Sequence, residues 1–157
     1  MAKLIRMSKG YNAIVDDEDY DYLNQFSWSY SGGYAIRAYK DSTNGKLKSF
    51  RMHRVIMNAP KGMEVDHING IRHDNRRENL RICTRAQNAA NQKKTRGSSK
   101  YKGVYWEKHM KSWKCQVCFN GKVKNLGRFK IEEDAARRYN VFMIENFGEF
   151  AKLNILY

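Results

Sequence analysis

Val65-Asp66-His67, which reads as the end of a strand, and the apolar-rich Leu80-Arg81-Ile82-Cys83 bracket a stretch made mostly of Asn, Asp, Gly, Arg and His. Each run is long enough only for a short strand. Asn69-Gly70 and Asp74-Asn75 between them are turn residues, so the chain is expected to loop out from the first strand and return through the second. Thr84-Arg85-Ala86-Gln87 then has the spacing of a capping box and opens a short helix carrying Asn88. Upstream, Tyr34 to Tyr39 and Leu47 to His53 predict paired strands around a Thr43-Asn44-Gly45-Lys46 turn, and Ala59-Pro60-Lys61-Gly62 predicts a type I turn leading into the Val65 strand. The acidic run from Asp16 to Asp21 predicts a solvated turn capping a short helix through Tyr22 and Leu23. It is no calcium loop of the EF-hand kind, because the sixth and twelfth positions counted from Asp16 are Asp21 and Ser27 where Gly and Glu are needed.

From Lys100 onward the periodicity changes. Tyr101 to Glu107 predicts a first strand, and Trp113 to Phe119 and Lys122 to Phe129 flank Asn120-Gly121, the strongest two-residue hairpin signal. Along the middle strand Trp113, Cys115, Val117 and Phe119 share one face, which should be buried. Lys114, Gln116 and Cys118 face the other way and are continued across the hairpin by Asn125 and Val123. Lys122, Lys124 and Arg128 have the parity of the buried face, so they must snorkel past its edge or be re-aimed by a kink at Gly127, unless the register itself differs. Ile131 to Asn146 reads as a helix with Glu132, Glu133 and Asp134 in its first turn, and its stripe of Ala135, Tyr139 and Phe142 should pack on the Trp113 face.

Charge divides the chain at the same place. Over 157 residues the net charge is +14. Residues 1–92 carry 15 Lys/Arg against 10 Asp/Glu, whereas residues 93–157 carry 15 against 6, so the shorter part is the more basic. Such a field draws in polyanions and makes affinity fall with salt. Lys93-Lys94-Thr95-Arg96-Gly97-Ser98-Ser99-Lys100 lacks any apolar residue and is expected to be a mobile, phosphate-attracting linker. Three cysteines, Cys83, Cys115 and Cys118, form no paired framework, and Cys115 and Cys118 on one strand would point to opposite faces, which argues against zinc. With neither a long apolar run nor a secretory signal, the reading is a soluble, reduced, cytoplasmic protein with no membrane partner.

Chemistry concentrates in the polar loop. His67 follows Asp66, Asn79 lies twelve residues after it and Asn88 nine further on. Cutting a phosphodiester requires a base for water, and a neutral imidazole such as His67 can serve near pH 7. The carboxylate of Asp66 and the amide oxygen of Asn88 are hard ligands suited to Mg²⁺ or Mn²⁺. This order of residues resembles the HNH endonuclease family in its variant ending in Asn, and in particular the homing-type enzymes carried by bacteriophages. The resemblance implies a ββα-metal (His-Me) finger, with His67 as general base, Asp66 and Asn88 as metal ligands, and Asn79 orienting the loop without touching the ion. His53 matches where such segments usually begin and could touch substrate or simply pack.

The segment from Ser99 to Asn154 resembles the apetala-type, or ethylene-response-factor, DNA-binding domain. The resemblance rests on Tyr101-Lys102-Gly103-Val104, Trp113, Leu126-Gly127-Arg128-Phe129, the Glu133 to Asn140 run, and Gly148 to Asn154. It implies that Lys102, Tyr105, Lys114, Gln116, Asn125 and Arg128 face double-stranded DNA. Tyr105 and Glu107 depart from the arginines that plant members usually carry there, so plant sequence preference does not transfer. The expected fold is α+β: a nuclease domain over residues 1–92 on an N-terminal β scaffold, a basic linker over 93–100, and over 101–157 a three-stranded antiparallel sheet packed on one helix. A non-catalytic DNA-binding regulator with an inactive finger is the alternative. An RNA-binding protein fits less well, because the single-strand stacking motif of that class is missing.

Overall fold

In the computed structural model, which describes residues 1–93 and 97–156, pairing begins at the second residue. β1 (Ala2–Arg6) and β2 (Asn12–Asp16) form an antiparallel pair whose inward positions Ile5, Ala13 and Val15 are buried. The acidic run does not form a solvated turn: it is the first turn of α1 (Asp17–Leu23), where the helix dipole favours Asp17, Glu18 and Asp19. β3 (Ser29–Ser31), β4 (Tyr34–Lys40) and β5 (Leu47–Arg51) make a second antiparallel sheet in that order.

The expected second strand of that hairpin ends sooner than the sequence suggested. From Met52 the chain is helical, as α2 (Met52–Met57), because Met52, His53 and Ile56 are buried at helical spacing. His53 is therefore a helix residue. α2 closes at Asn58, which takes the left-handed conformation (φ 44°). The Pro60 turn is shifted by one residue: Met63 N–H donates to Pro60 O at 3.1 Å, and Gly62, at φ 88°, supplies the positive φ of a type II turn where type I was expected. β6 (Glu64–His67) and β7 (Leu80–Cys83) pair antiparallel, Asp66 opposite Arg81 and His67 opposite Leu80, with a 3-10 turn (Arg77–Asn79) just before β7. Met7, Trp28, Met52, Val65 and Leu80 belong to the core beneath.

The chain divides into two units, Met1–Thr84 and Arg85–Tyr157. The second begins with α3 (Arg85–Asn91), whose Ala90 is buried in the same cluster as the sheet and helix that follow. Of the stretch expected as a linker, Lys94, Thr95 and Arg96 lie outside the described residues. Ser98 and Ser99 are part of the folded unit: Trp106 N–H donates to Ser98 Oγ at 2.7 Å and Tyr101 N–H to Ser99 Oγ at 2.9 Å. β8 (Val104–Glu107), β9 (Ser112–Phe119) and β10 (Lys122–Phe129) form a sheet with β9 central, and α4 (Glu132–Phe147) packs on it. The first strand starts at Val104, not Tyr101. Gly103 at φ 76° breaks the extended run, and a Cβ there would meet the Tyr139 ring at 2.2 Å and Gln116 O at 2.9 Å. The architecture is α+β with small antiparallel sheets. Among the described residues no helix is long and apolar enough to cross a membrane.

The three misplaced cations on β10 are resolved individually. Lys122 and Lys124 keep the buried-face parity opposite Phe119 and Val117, and Lys124 runs outward so that its ammonium lies 5.0 Å from the Phe142 ring centre and 6.0 Å from that of Phe119. Arg128 is re-aimed. A bulge between Asn125 and Gly127 inserts one residue, so Arg128 pairs with Lys114 on the polar face.

Candidate functional site

The loop between β6 and β7 is held by side-chain amides. Asn79 accepts the Asn69 N–H on Oδ1 (3.0 Å) and donates from Nδ2 to Asp74 O (2.8 Å), so one side chain joins both limbs of the loop. Asn69 in turn accepts the Ile71 N–H (2.7 Å) and donates to Asp74 Oδ2 (2.9 Å). Asp74, 2% exposed, also receives two bonds from Arg76, at 2.9 and 2.8 Å. That guanidinium, with Asn69 adding to it, holds the Asp74 carboxyl below its usual pKa. The acidic helix reaches the same loop: Asp16 accepts the Arg77 N–H (2.7 Å), and Asp19 binds the Arg77 side chain at 2.9 and 2.7 Å. The sequence signal for this clamp was the acidic run itself, but its partner is some sixty residues away and no local pattern announces it.

His67 stands at the end of β6 and is 4% exposed. Its Nε2 lies 3.2 Å from Asn75 Oδ1. Its ring meets that of His53 edge-on at 4.8 Å, with Tyr34 beside both at 5.3 and 6.0 Å. Burial lowers the pKa of His67; the Asn75 bond and the carboxylates of Asp66 and Asp74 work against it without reversing it. His53, 3% exposed, is pushed down to about 3 by burial, then by His67, Arg51 and Arg54. Both imidazoles are therefore neutral at pH 7. The guanidiniums of Arg51 and Arg72 lie 4.4 and 4.9 Å from the Tyr34 ring centre, which places two cations beside this cluster.

Asp66, next to His67, is 4% exposed and paired across the strands with Arg81, whose Nε and Nη2 both reach Oδ2 (3.1 and 2.9 Å). The guanidinium offsets a carboxylate that would otherwise be costly to bury. Asn88 is a half-buried residue of α3, its Oδ1 3.5 Å from Gln92 Nε2. α3 is fixed within the second unit. Lys152 N–H donates to Ala90 O (3.2 Å), and the Lys102 ammonium reaches Ala90 O (2.7 Å) and Ala89 O (3.4 Å). Lys102, expected to face DNA, instead caps the carbonyl end of α3, and burial lowers its pKa to about 8.

The other expected contacts lie together on the sheet. Tyr105, Lys114 and Arg128 form one row across β8, β9 and β10, and Gln116 with Asn125 forms the next. Arg128 is held by Glu107 (Nε to Oε2, 2.5 Å) on the same face, and Asn125 Oδ1 accepts the Gly127 N–H at the bulge. Cys115 is buried on the α4 side and Cys118 is exposed on the other.

Comparison with known proteins points to the same segment. The HNH endonuclease family matches residues 51–90, which run from the end of β5 through α3. An uncharacterized HNH endonuclease of Acanthamoeba polyphaga mimivirus is 32% identical over 159 aligned residues, covering 96% of this chain and 79% of that protein. Protein 3.8 of Escherichia phage T7 is 32% identical over 94 residues, covering 59% of this chain and 77% of that protein. No solved structure matches. With similarity running nearly end to end and the family match centred on the Asp66-His67 strand pair, the chain belongs to the HNH endonuclease family.

Proposed function

We propose that this chain is a sequence-directed, homing-type DNA endonuclease that hydrolyses phosphodiester bonds at His67, with the sheet of the second unit reading or gripping the target. The observation that carries the reading is the state of His67, a buried, neutral imidazole fixed at a strand end beside Asp66, with the cations Arg51 and Arg72 close by. His67 takes the proton from the attacking water, a role typically worth about 10² to 10⁴ in rate. Asn79 keeps the loop closed under it. Arg51 and Arg72 seat backbone phosphates.

Asp66 and Asn88 offer hard oxygen donors, one carboxylate and one amide, which is the chemistry that suits Mg²⁺ or Mn²⁺. Such an ion would supply Lewis-acid stabilisation of charge on the phosphate and the leaving 3′ oxygen. On the sheet, Tyr105, Lys114, Gln116, Asn125 and Arg128 form the DNA-facing set, since a ribbon of this width enters a major groove. Lys102 contributes by holding α3.

The test is conversion of supercoiled plasmid carrying host DNA to nicked or linear forms with Mg²⁺, with EDTA and His67→Ala as controls. Cleavage should require both the metal and His67, while His67→Ala keeps its DNA affinity. A His67→Ala protein that cuts normally overturns the assignment of the base. Binding without cutting on a verified target favours a DNA-binding regulator.

A further inference from the structure

We propose that Asn75 sets the tautomer of His67, fixing the ring proton on Nε2 and the lone pair on Nδ1, and so is a positioning residue for the reaction. This rests on the reading of His67 as the base. Asn75 is fully buried, and its side chain lies between the His67 ring and α2.

The amide can face only one way. Its Nδ2 lies 3.2 Å from His73 O and 3.5 Å from Met52 Sδ, and both of these are acceptors only. Turning the amide over would set Asn75 Oδ1 against the His73 carbonyl oxygen in a site closed to water, which is costly. Oδ1 is therefore the atom presented to His67 Nε2 at 3.2 Å, and an amide oxygen accepts but never donates. A neutral imidazole carries one N–H. The bond is made only when that N–H is at Nε2, which leaves Nδ1 as the basic nitrogen.

The backbone also anchors this part of the loop to β2. Ile14 N–H donates to His73 O at 2.9 Å and Asn75 N–H to Ile14 O at 2.7 Å, so β2 clamps the residues on both sides of Asp74. A side chain placed this firmly gives the base one acceptor atom in one orientation, which is what proximity effects in catalysis require. In the sequence, Asp74-Asn75 has the look of a turn; only the tertiary position shows that the second of the pair turns inward.

Long-range proton–nitrogen NMR of the histidine rings in the full-length protein reads the tautomer directly, the His67 signals being those lost in His67→Ala. The wild type is expected to show His67 protonated at Nε2; a proton on Nδ1, or an equal mixture, overturns the proposal. Asn75→Leu keeps the branched shape and removes the acceptor. It should give mixed tautomers and a fall in single-turnover cleavage on the order of 10²-fold with DNA affinity unchanged. Asn75→Asp returns an acceptor oxygen to Nε2 but sets its second oxygen against His73 O, so it should keep the Nε2 proton at a cost in stability. Unchanged cleavage and tautomer in Asn75→Leu would remove the role. If His67→Ala itself cuts normally while the wild-type ring is protonated at Nε2, the reading of the base fails and the tautomer assignment stands.

Discussion

Both units have an apolar core, and they differ in the polar groups buried beside it. Of the eight buried polar or charged side chains among the described residues, Asp41, His53, Asp66, His67, Asp74, Asn75 and Asn79 lie in the first unit and only Ser99 in the second. The second unit is held by Tyr101, Val104, Cys115, Val117, Tyr139 and Phe142 packed between sheet and helix. Buried amides fix a group through one donor and one acceptor at a time, so each atom matters and few substitutes exist. An apolar core fixes position through volume, and many side chains of similar size serve. A base must be placed to within a fraction of an ångström, and the first method provides that. Under the proposed function, the sheet of the second unit needs a firm platform with variable side chains, and the second method provides it.

The largest effects should separate the two methods. Phe142, 3% exposed, meets Phe119 edge-on at 5.5 Å. Phe142→Ala should cost about 3–5 kcal/mol, while the apolar Phe142→Leu should cost under about 1.5 kcal/mol. Asn79→Leu keeps the branched shape, yet it leaves the Asn69 N–H and the Asp74 carbonyl without their partner. Each unmatched group costs roughly 1–3 kcal/mol, so Asn79→Leu should be the more damaging of the two leucine variants and should also abolish cleavage. Urea unfolding of the full chain measures both. If Asn79→Leu proves as mild as Phe142→Leu, the amide latch does not hold the loop.

Acid should weaken the first unit before the second, because its buried imidazoles resist protonation. His53 is lowered to about 3, by burial first and then by His67, Arg51 and Arg54; Tyr34 is its other ring neighbour. In the unfolded chain it titrates near 6.5, so between these values the unfolded state binds more protons and stability rises with pH. The stability present above about 6.5 is lost as pH falls toward 3, on the order of 3 kcal/mol by pH 4. The lowered pKa of His67 acts in the same direction. His53→Phe should flatten the slope between pH 6.5 and 4, read from the urea midpoint at each pH. An unchanged slope would place the acid sensitivity elsewhere.

The same division explains what could be read from the sequence. Alternation and turn chemistry gave the Asn120-Gly121 hairpin, the Trp113 face and the α4 stripe, because in an apolar core burial follows period. The β7 strand was legible from its apolar positions, and the end of β6 from the turn residues that follow it. The inward turn of Asn75 and the Arg77 clamp on α1 were not, because a buried amide and a surface amide are the same letter, and long-range partners leave no local trace. His53 was placed on a strand because Leu47 to Met57 lacks a start signal for α2: Arg51 stands at the N-cap position with no side-chain cap. Lys102 was legible as a cation but not as a helix cap, since its partners, the Ala89 and Ala90 carbonyls, belong to the backbone.

The smallest effect tests whether the platform's variable face is the one that meets DNA. Glu107 and Arg128 are exposed partners on the face that carries Tyr105 and Lys114, and Glu107 is held below its usual pKa by Arg128. Exposed pairs of this kind add little to stability, so Glu107→Gln should leave the unfolding midpoint in place. Its effect should lie in binding. Removing the carboxylate releases Arg128 toward the backbone of a bound duplex, and each added phosphate contact steepens the dependence of log affinity on log salt by about 0.9. Glu107→Gln should therefore bind duplex more tightly at low salt and show a slope steeper by about one. A variant with wild-type slope would mean that this face does not touch the backbone, and the DNA-facing set would have to be sought on another surface of the second unit.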